Sequence, residues 1–208
     1  MSKFLTRPVV NTEKERNEKA DILELITFER FCRDNAQWDE MRKCFAEDSY
    51  VNISWYHGSG DGFVTASSKM PTYAPHKINS SLTWLNGDRA VTIMNATILM
   101  RREVEGVLCE LSSDTQLLFS TQKIDGQWYI VRFESIYGQD RLVPVLPDAT
   151  LTMESKVLAG YRQSYACMCY SMDQSGLDIN QKLAGRDRPE TVEKIYADLA
   201  KWLDEGVR

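Results

Sequence analysis

The sequence predicts an α+β domain, one strongly curved antiparallel sheet wrapped by helices around a small apolar pocket. Three observations predict it. Turn dipeptides stand at Asn86-Gly87, Glu105-Gly106 and Asp125-Gly126, their glycines 19 and 20 residues apart. Long β-rich runs lie around them, at residues 78–85, 89–103, 107–123 and 127–137. Asn-Gly and Asp-Gly are strong hairpin signals, so these runs read as an antiparallel meander. Strands of about 15 residues exceed the usual length and have to coil or bulge. Apolar residues at helical spacing flank the meander on both sides, and helices against a coiled sheet leave a cavity.

Taken in order, residues 1–18 read as a flexible arm. A helix is expected over 20–35, with Ile22, Leu25, Ile26 and Cys32 on adjoining faces. A second, short helix starts at Trp38, with Trp38, Met41 and Phe45 on one stripe. Residues 50–56 (YVNISWY) alternate, placing Val51, Ile53 and Trp55 on one face and Asn52, Ser54 and Tyr56 on the other. Gly58, Gly60 and Gly62 predict a loop, and a short helix over 63–70 is ended by Pro71. After the meander, residues 142–152 carry two prolines and read as a linker or edge segment. Two helices follow. The last has Asp187 as N-cap, Pro189 in its first turn, and Val192, Ile195, Leu199 and Trp202 at helical spacing before Gly206. The organisation expected is therefore an α+β domain over 19–147 and a helical extension over 148–208, packed on that domain or on a partner subunit.

Composition narrows the function. The chain has 208 residues, 43% hydrophobic and 26% charged, which is ordinary for a globular protein. A net charge of −5 argues against a nucleic-acid partner. No apolar run approaches the roughly 20 residues that span a bilayer, and the polar N-terminus lacks the apolar centre of a signal peptide. A cytoplasmic protein without a membrane partner is expected. Five cysteines, an odd number, suggest reduced thiols. Cys167 and Cys169 form a C-x-C pair, but no second pair of metal-ligand spacing accompanies it, so no metal is expected. No Walker loop, G-x-G-x-x-G, H-E-x-x-H or G-x-S-x-G occurs, leaving a nucleotide cofactor or a nucleophilic serine unsupported; the expected cofactor set is none.

Several segments carry a family pattern. They are 34–41 (DNAQWDEM), 45–48 (FAED), 86–90 (NGDRA) and 123–128 (KIDGQW). In this order and spacing the chain resembles the SnoaL-like group of the nuclear-transport-factor-2-like superfamily, over roughly residues 20–145. The resemblance implies a cone-shaped barrel of curved sheet with N-terminal helices. Characterised relatives include scytalone dehydratase, hexachlorocyclohexane dehydrochlorinase, bile-acid dehydratase and ketosteroid isomerase, and non-catalytic members exist too. Fold alone does not choose among them.

The dehydratase-like members pair an Asp at the end of the first helix with a His from the sheet. On that resemblance, Asp34 and His76 are the catalytic candidates. A neutral imidazole can take a carbon-bound proton while a carboxylate holds its tautomer, and elimination then needs no cofactor. The same residues are also what a helix cap and a strand-edge histidine look like. His57, in the glycine-rich segment, reads as exposed. The chain departs from its relatives in carrying Glu29 and Arg33 where they place a Tyr or Lys.

Counting from the hairpins puts Met94, Ala96, Ile98 and Met100, with Thr115 and Leu117, on the inward face. Trp55 and Phe119 are natural aromatic walls, and Thr115 or Tyr56 a donor to the leaving group or carbonyl. A filled core would show the same residues. Arg132 and Glu134 share a face of the last strand. Val91, Ile93, Thr97 and Leu99 point outward, and an apolar outer face wants cover, so a homo-oligomer through it is expected. The function expected is a cofactor-independent lyase or isomerase acting on a small hydrophobic cyclic or aromatic molecule. The alternative is a non-catalytic ligand-binding or accessory protein of the same fold.

Overall fold

Helix α1 (Glu13–Asp34) leads the chain into α2 (Trp38–Lys43), β1 (Phe45–Ile53), β2 (Tyr56–Ser59) and α3 (Gly60–Ser68). The meander follows as β3 (His76–Asn86), β4 (Arg89–Val104), β5 (Val107–Ile124) and β6 (Gln127–Pro144). The remainder holds α4 (Ser155–Leu158), a 3-10 turn (Gln163–Tyr165), α5 (Ala166–Asp173), β7 (Ala184–Gly185) and α6 (Pro189–Asp204). This computed structural model describes residues 2–70, 73–174 and 176–206. Pro71, expected to end the third helix, lies outside the described residues.

Among the described residues the strands form one sheet in the order β2-β1-β6-β5-β4-β3, with β7 beside β6. The sheet curls but does not close. All pairs in the meander are antiparallel; β1 and β7 run parallel to β6. Two hairpins turn on consecutive positive φ angles, 49° and 75° at Glu105-Gly106 and 50° and 86° at Asp125-Gly126, the type I′ geometry whose twist matches the strands. The first hairpin pairs Asn86 with Arg89, so its turn residues are Gly87 and Asp88, one place beyond the expected Asn-Gly.

Strands of 16 to 18 residues bend at register shifts. The pairing skips Asn79 on β3, and on β6 it skips Val131 and Gly138. A Cβ on Gly138 would stand 3.0 Å from the Asp114 carbonyl oxygen, a tight approach that favours glycine at that bulge. The concave face packs Met94, Ala96, Leu117, Phe119 and Phe133 against Ile26 and Cys32 of α1, Met41 of α2 and Phe63 of α3. Farther along it, Met100, Leu111 and Tyr137 meet Tyr165, Met168 and Met172. On the convex face, Val192, Leu199 and Leu203 of α6 cover Val91, Ile93, Leu118 and Ile136. The cover that face requires comes from the chain itself, whereas Leu99 beyond it is only partly buried.

Several boundaries differ from the sequence expectation. Helix α1 starts at Glu13 because Thr12 caps it, its hydroxyl accepting from the Glu15 N–H at 3.1 Å. Phe4, within the expected arm, is buried against Trp84 and Tyr196. Phe45 belongs to β1, which ends at Ile53, and Tyr56 opens β2. Gly60 and Gly62 begin α3 instead of a loop, capped by the Ser59 hydroxyl. Strand β6 runs on to Pro144, paired with Cys109. Asp187 does not cap α6; Arg188 stands there, because Arg162 engages both Asp187 carboxylate oxygens at 2.8 Å. No described helix is long and apolar enough to cross a membrane.

The packing of α6 yields a stability test. Leu199 is 1% exposed between the helix and the sheet. Leu199→Ala should cost about 2–5 kcal/mol in urea unfolding. A loss below about 0.5 kcal/mol, the range of ordinary surface substitutions, would mean α6 is not docked this way.

Candidate active site

The last two turns of α1 deliver Glu29, Arg30, Arg33 and Asp34 to the mouth of the concave face. The helix stops immediately after them, where Ala36 takes a left-handed φ of 56° and the Gln37 N–H returns to the Cys32 carbonyl. Strand β3 begins at His76 because Asp34 holds it. One Asp34 carboxylate oxygen lies 2.7 Å from His76 Nδ1, and the other accepts the His76 backbone N–H at 2.8 Å. A carboxylate on Nδ1 fixes the proton there and leaves Nε2 as the basic nitrogen. The His76 side chain is 7% exposed and lines a cavity.

Electrostatics around the pair favour a neutral ring beside an anion. Burial pulls the His76 imidazole below its ordinary value, and the Arg30 charge adds to that against the pull of Asp34. Burial opposes the Asp34 carboxylate, but the hydrogen bonds from the His76 ring and backbone outweigh it and hold Asp34 low. Arg30 and Glu29, both buried, form an ion pair with two contacts. The remaining guanidinium nitrogen, Nη1, stands 3.4 Å from His76 Nε2. The guanidinium carbon sits 4.8 Å from the Phe133 ring centroid.

A second polar group faces them. The buried Tyr137 hydroxyl accepts the Ser54 backbone N–H at 2.9 Å and is bonded by Ser135. Apolar walls come from Ile53, Trp55, Phe63, Ile98, Met100 and Leu117, and from Met168 and Met172 of α5. Helix α5 is held there by Asp140, whose carboxylate accepts the Met168 N–H at 2.7 Å. The enclosed volume is about 40 Å³. That suffices for about three waters and falls short of a ring compound. Methionines are unbranched and adaptable, so Met70, Met168 and Met172 are the most readily reshaped part of the wall.

Of the residues singled out from sequence, His76, Trp55, Ile98, Met100 and Leu117 line this cavity, and Asp34 supports His76. Five do not line it. Met94 and Ala96 are packed in the core, and Phe119 is stacked on Phe133 at 4.7 Å. The Thr115 hydroxyl points to the Ala96 carbonyl at 3.3 Å, and the Tyr56 hydroxyl donates to the Ser59 carbonyl. His57 is exposed. Arg132 and Glu134 form an ion pair at 2.6 Å on the outer face. The sequence reading missed Arg30, Ser54, Ser135 and Tyr137. Ser135 and Tyr137 share the strand parity of Phe133, and Arg30 lies one helical turn before Asp34. Those were the available signals.

Among the described residues no group of three His, Cys, Asp or Glu side chains is placed to hold a metal ion. The cysteines are free and buried; burial pushes the Cys44, Cys167 and Cys169 thiols up to about 12, which leaves them packing groups.

A curled sheet with its polar group at the helix end defines a class of pocket proteins, and the comparisons give its family. The profile of the SnoaL-like domain matches residues 14–134, more than half of the chain, and the protein belongs to that family. Pea pathogenicity protein 2 of Fusarium vanettenii is 27% identical over 188 residues, covering 83% of this chain and 79% of its own. An uncharacterized protein of Emericella nidulans is 26% identical over 205 residues, covering 90% and 86%. Among solved structures, a putative scytalone dehydratase from Novosphingobium aromaticivorans superposes with a TM-score of 0.54 at 15% identity, over 67% of this chain and 100% of its own. A type 2 hexachlorocyclohexane dehydrochlorinase does so at 0.54 and 14%, over 67% and 96%. At that identity the likeness is one of fold.

The pair makes a pH test. Above the ordinary histidine value of 6.5 the ring is neutral in both folded and unfolded chains. Below it the unfolded chain takes up the proton more readily than the folded one, so folding stability falls as pH drops from 6.5 toward the lowered folded value. Unfolding free energies measured between pH 7 and 5 should decline more steeply in the wild type than in His76→Gln. Equal slopes would show that His76 is not held in its neutral form.

Proposed function

We propose that this protein is a cofactor-independent lyase or isomerase that acts on a small hydrophobic cyclic or aromatic molecule of the kind found in polyketide metabolism. The observation that carries the reading is the Asp34–His76 contact at the edge of a mainly apolar cavity. His76 Nε2 is the general base for a carbon-bound proton. Asp34 keeps the other ring nitrogen protonated and stabilises the imidazolium that forms. The imidazolium then returns its proton to a leaving group, giving elimination, or to another carbon, giving isomerisation. Dehydratase and dehydrochlorinase, the names carried by two fold neighbours, are both eliminations, which this chemistry serves.

Binding without turnover is favoured by one observation, the contact of Arg30 Nη1 with the same Nε2 that would act as base. Proton exchange separates the readings. With 1-tetralone as probe in deuterated buffer, the wild type should speed exchange of the hydrogens beside the carbonyl, followed by NMR. His76→Ala should lower that rate by about 10² to 10⁴. Asp34→Asn, which presents an amide donor to Nδ1 and forces the wrong tautomer, should lower it comparably. If neither variant slows exchange, the base assignment is lost. A wild type that binds the ketone without exchanging it supports the carrier reading.

Met172 sets access. Met172→Ala, by enlarging the cavity, should tighten 1-tetralone binding in a thermal-shift titration; unchanged or weaker binding would show that ligands do not enter beside α5.

A further inference from the structure

We propose that Arg30 is a second catalytic residue of this pocket, holding the negative oxygen of an enolate, so that the ligand is a carbonyl compound with an acidic carbon beside the carbonyl. This rests on the reading of His76 as base and adds the substrate class.

The Glu29–Arg30 pair is the first ground. Burying two charges is costly even when they pair, and apolar residues would fill the same space more cheaply. Glu29 occupies Nε and Nη2 of the guanidinium. Phe133 lies against its plane. The group is thereby fixed with one edge, Nη1, left over and aimed at the basic nitrogen of His76. Arg33 also reaches the cavity, but its guanidinium lies over the Trp38 ring. The Tyr137 hydroxyl on the far wall is engaged by Ser54. Arg30 is the charged donor beside the base.

The spacing supplies the second ground. Nη1 and Nε2 are 3.4 Å apart, the separation of groups that serve neighbouring atoms of one small ligand. In a carbonyl compound the acidic carbon and the carbonyl oxygen are two bonds apart, so a single ligand lying alongside both nitrogens, in place of their mutual contact, meets both. Nε2 takes the proton from the carbon. The C–H electron pair becomes the C=C bond, and the carbonyl π pair moves onto oxygen. The enolate oxygen then accepts from Nη1. When the C=O bond re-forms, the C=C pair expels a leaving group from the next carbon, and the imidazolium Nε2–H supplies its proton. No oxidant or cofactor enters the balance.

Charge supplies the third. An imidazolium formed 3.4 Å from a guanidinium is opposed by repulsion. An enolate oxygen between the two cations removes that opposition at the step where it arises, which is where stabilisation accelerates a reaction.

The test uses 4-nitrophenol, whose ionised form carries a delocalised negative oxygen, and 4-nitrotoluene, which has nearly the same shape without it. Absorbance titrations of the wild type should show the bound phenol ionising at lower pH than the free one. E29Q/R30M, which removes both charges and leaves neither buried alone, should bind the phenolate about tenfold or more weakly and 4-nitrotoluene within about twofold of the wild type. Arg30→Lys should fall between them, keeping the charge without the fork. Phenolate binding unchanged in E29Q/R30M, or no phenolate preference in the wild type, overturns the proposal. His76→Ala separates the two readings: it should abolish ketone exchange while keeping the phenolate preference. Exchange lost in His76→Ala but intact in E29Q/R30M sinks the role of Arg30 and leaves the base standing.

Discussion

Strands of 16 to 18 residues cannot lie flat in a sheet of this size, and their coiling governs the rest of the molecule. Extra residues at Asn79, Val131 and Gly138 let neighbouring strands bend together without losing their ladders. Coiling creates one concave face and one convex face, both with apolar residues to hide. The concave face takes α1, α2, α3 and α5, which come from opposite ends of the sequence. The convex face takes α6 together with Phe4, whose ring lies 5.1 Å from that of Trp84. The two ends of the described chain thus meet over the outside of the sheet.

The residue that positions the pocket's first strand also sets the state of its histidine. Asp34 ends a helix and His76 begins a strand, 42 residues apart, and both carboxylate oxygens of Asp34 are spent on that one residue. The backbone contact sets where β3 starts. The ring contact sets the tautomer. Burial then favours the neutral imidazole, while Glu29 holds the Arg30 guanidinium in a wall that is mainly apolar.

The meander was legible because hairpin turns demand residues that tolerate positive φ, and Glu105-Gly106 and Asp125-Gly126 supply them in adjacent pairs. The start of α1 was written in Thr12 and Glu15, a capping pattern outweighed by the charged, aperiodic residues that follow. Asp34 and His76 entered through family resemblance, since nothing local in the sequence brings them together. Arg30 was hidden for a different reason. Adjacent charges on a helix usually face solvent, and only the sheet above Glu29 and Arg30 shows that both are buried. Asp187 has the residue type and place of a helix cap, but a partner 25 positions earlier claims it. Side chains whose roles are set by distant partners are the ones that one-dimensional reading loses.

The boundary of the family match has a consequence for how such a pocket can diversify. Residues 14–134 contain Arg30, Asp34 and His76, while Ser135, Tyr137, Met168 and Met172 lie past that boundary. The charged residues at the helix end and much of the cavity wall thus lie inside the family core, and chain beyond it adds the rest of the wall. Changes in α5 or in the Asp140 anchor can resize the chamber without touching the helix that holds His76. A lineage can thus redraw one wall of the chamber and leave the Asp34–His76 contact as it is.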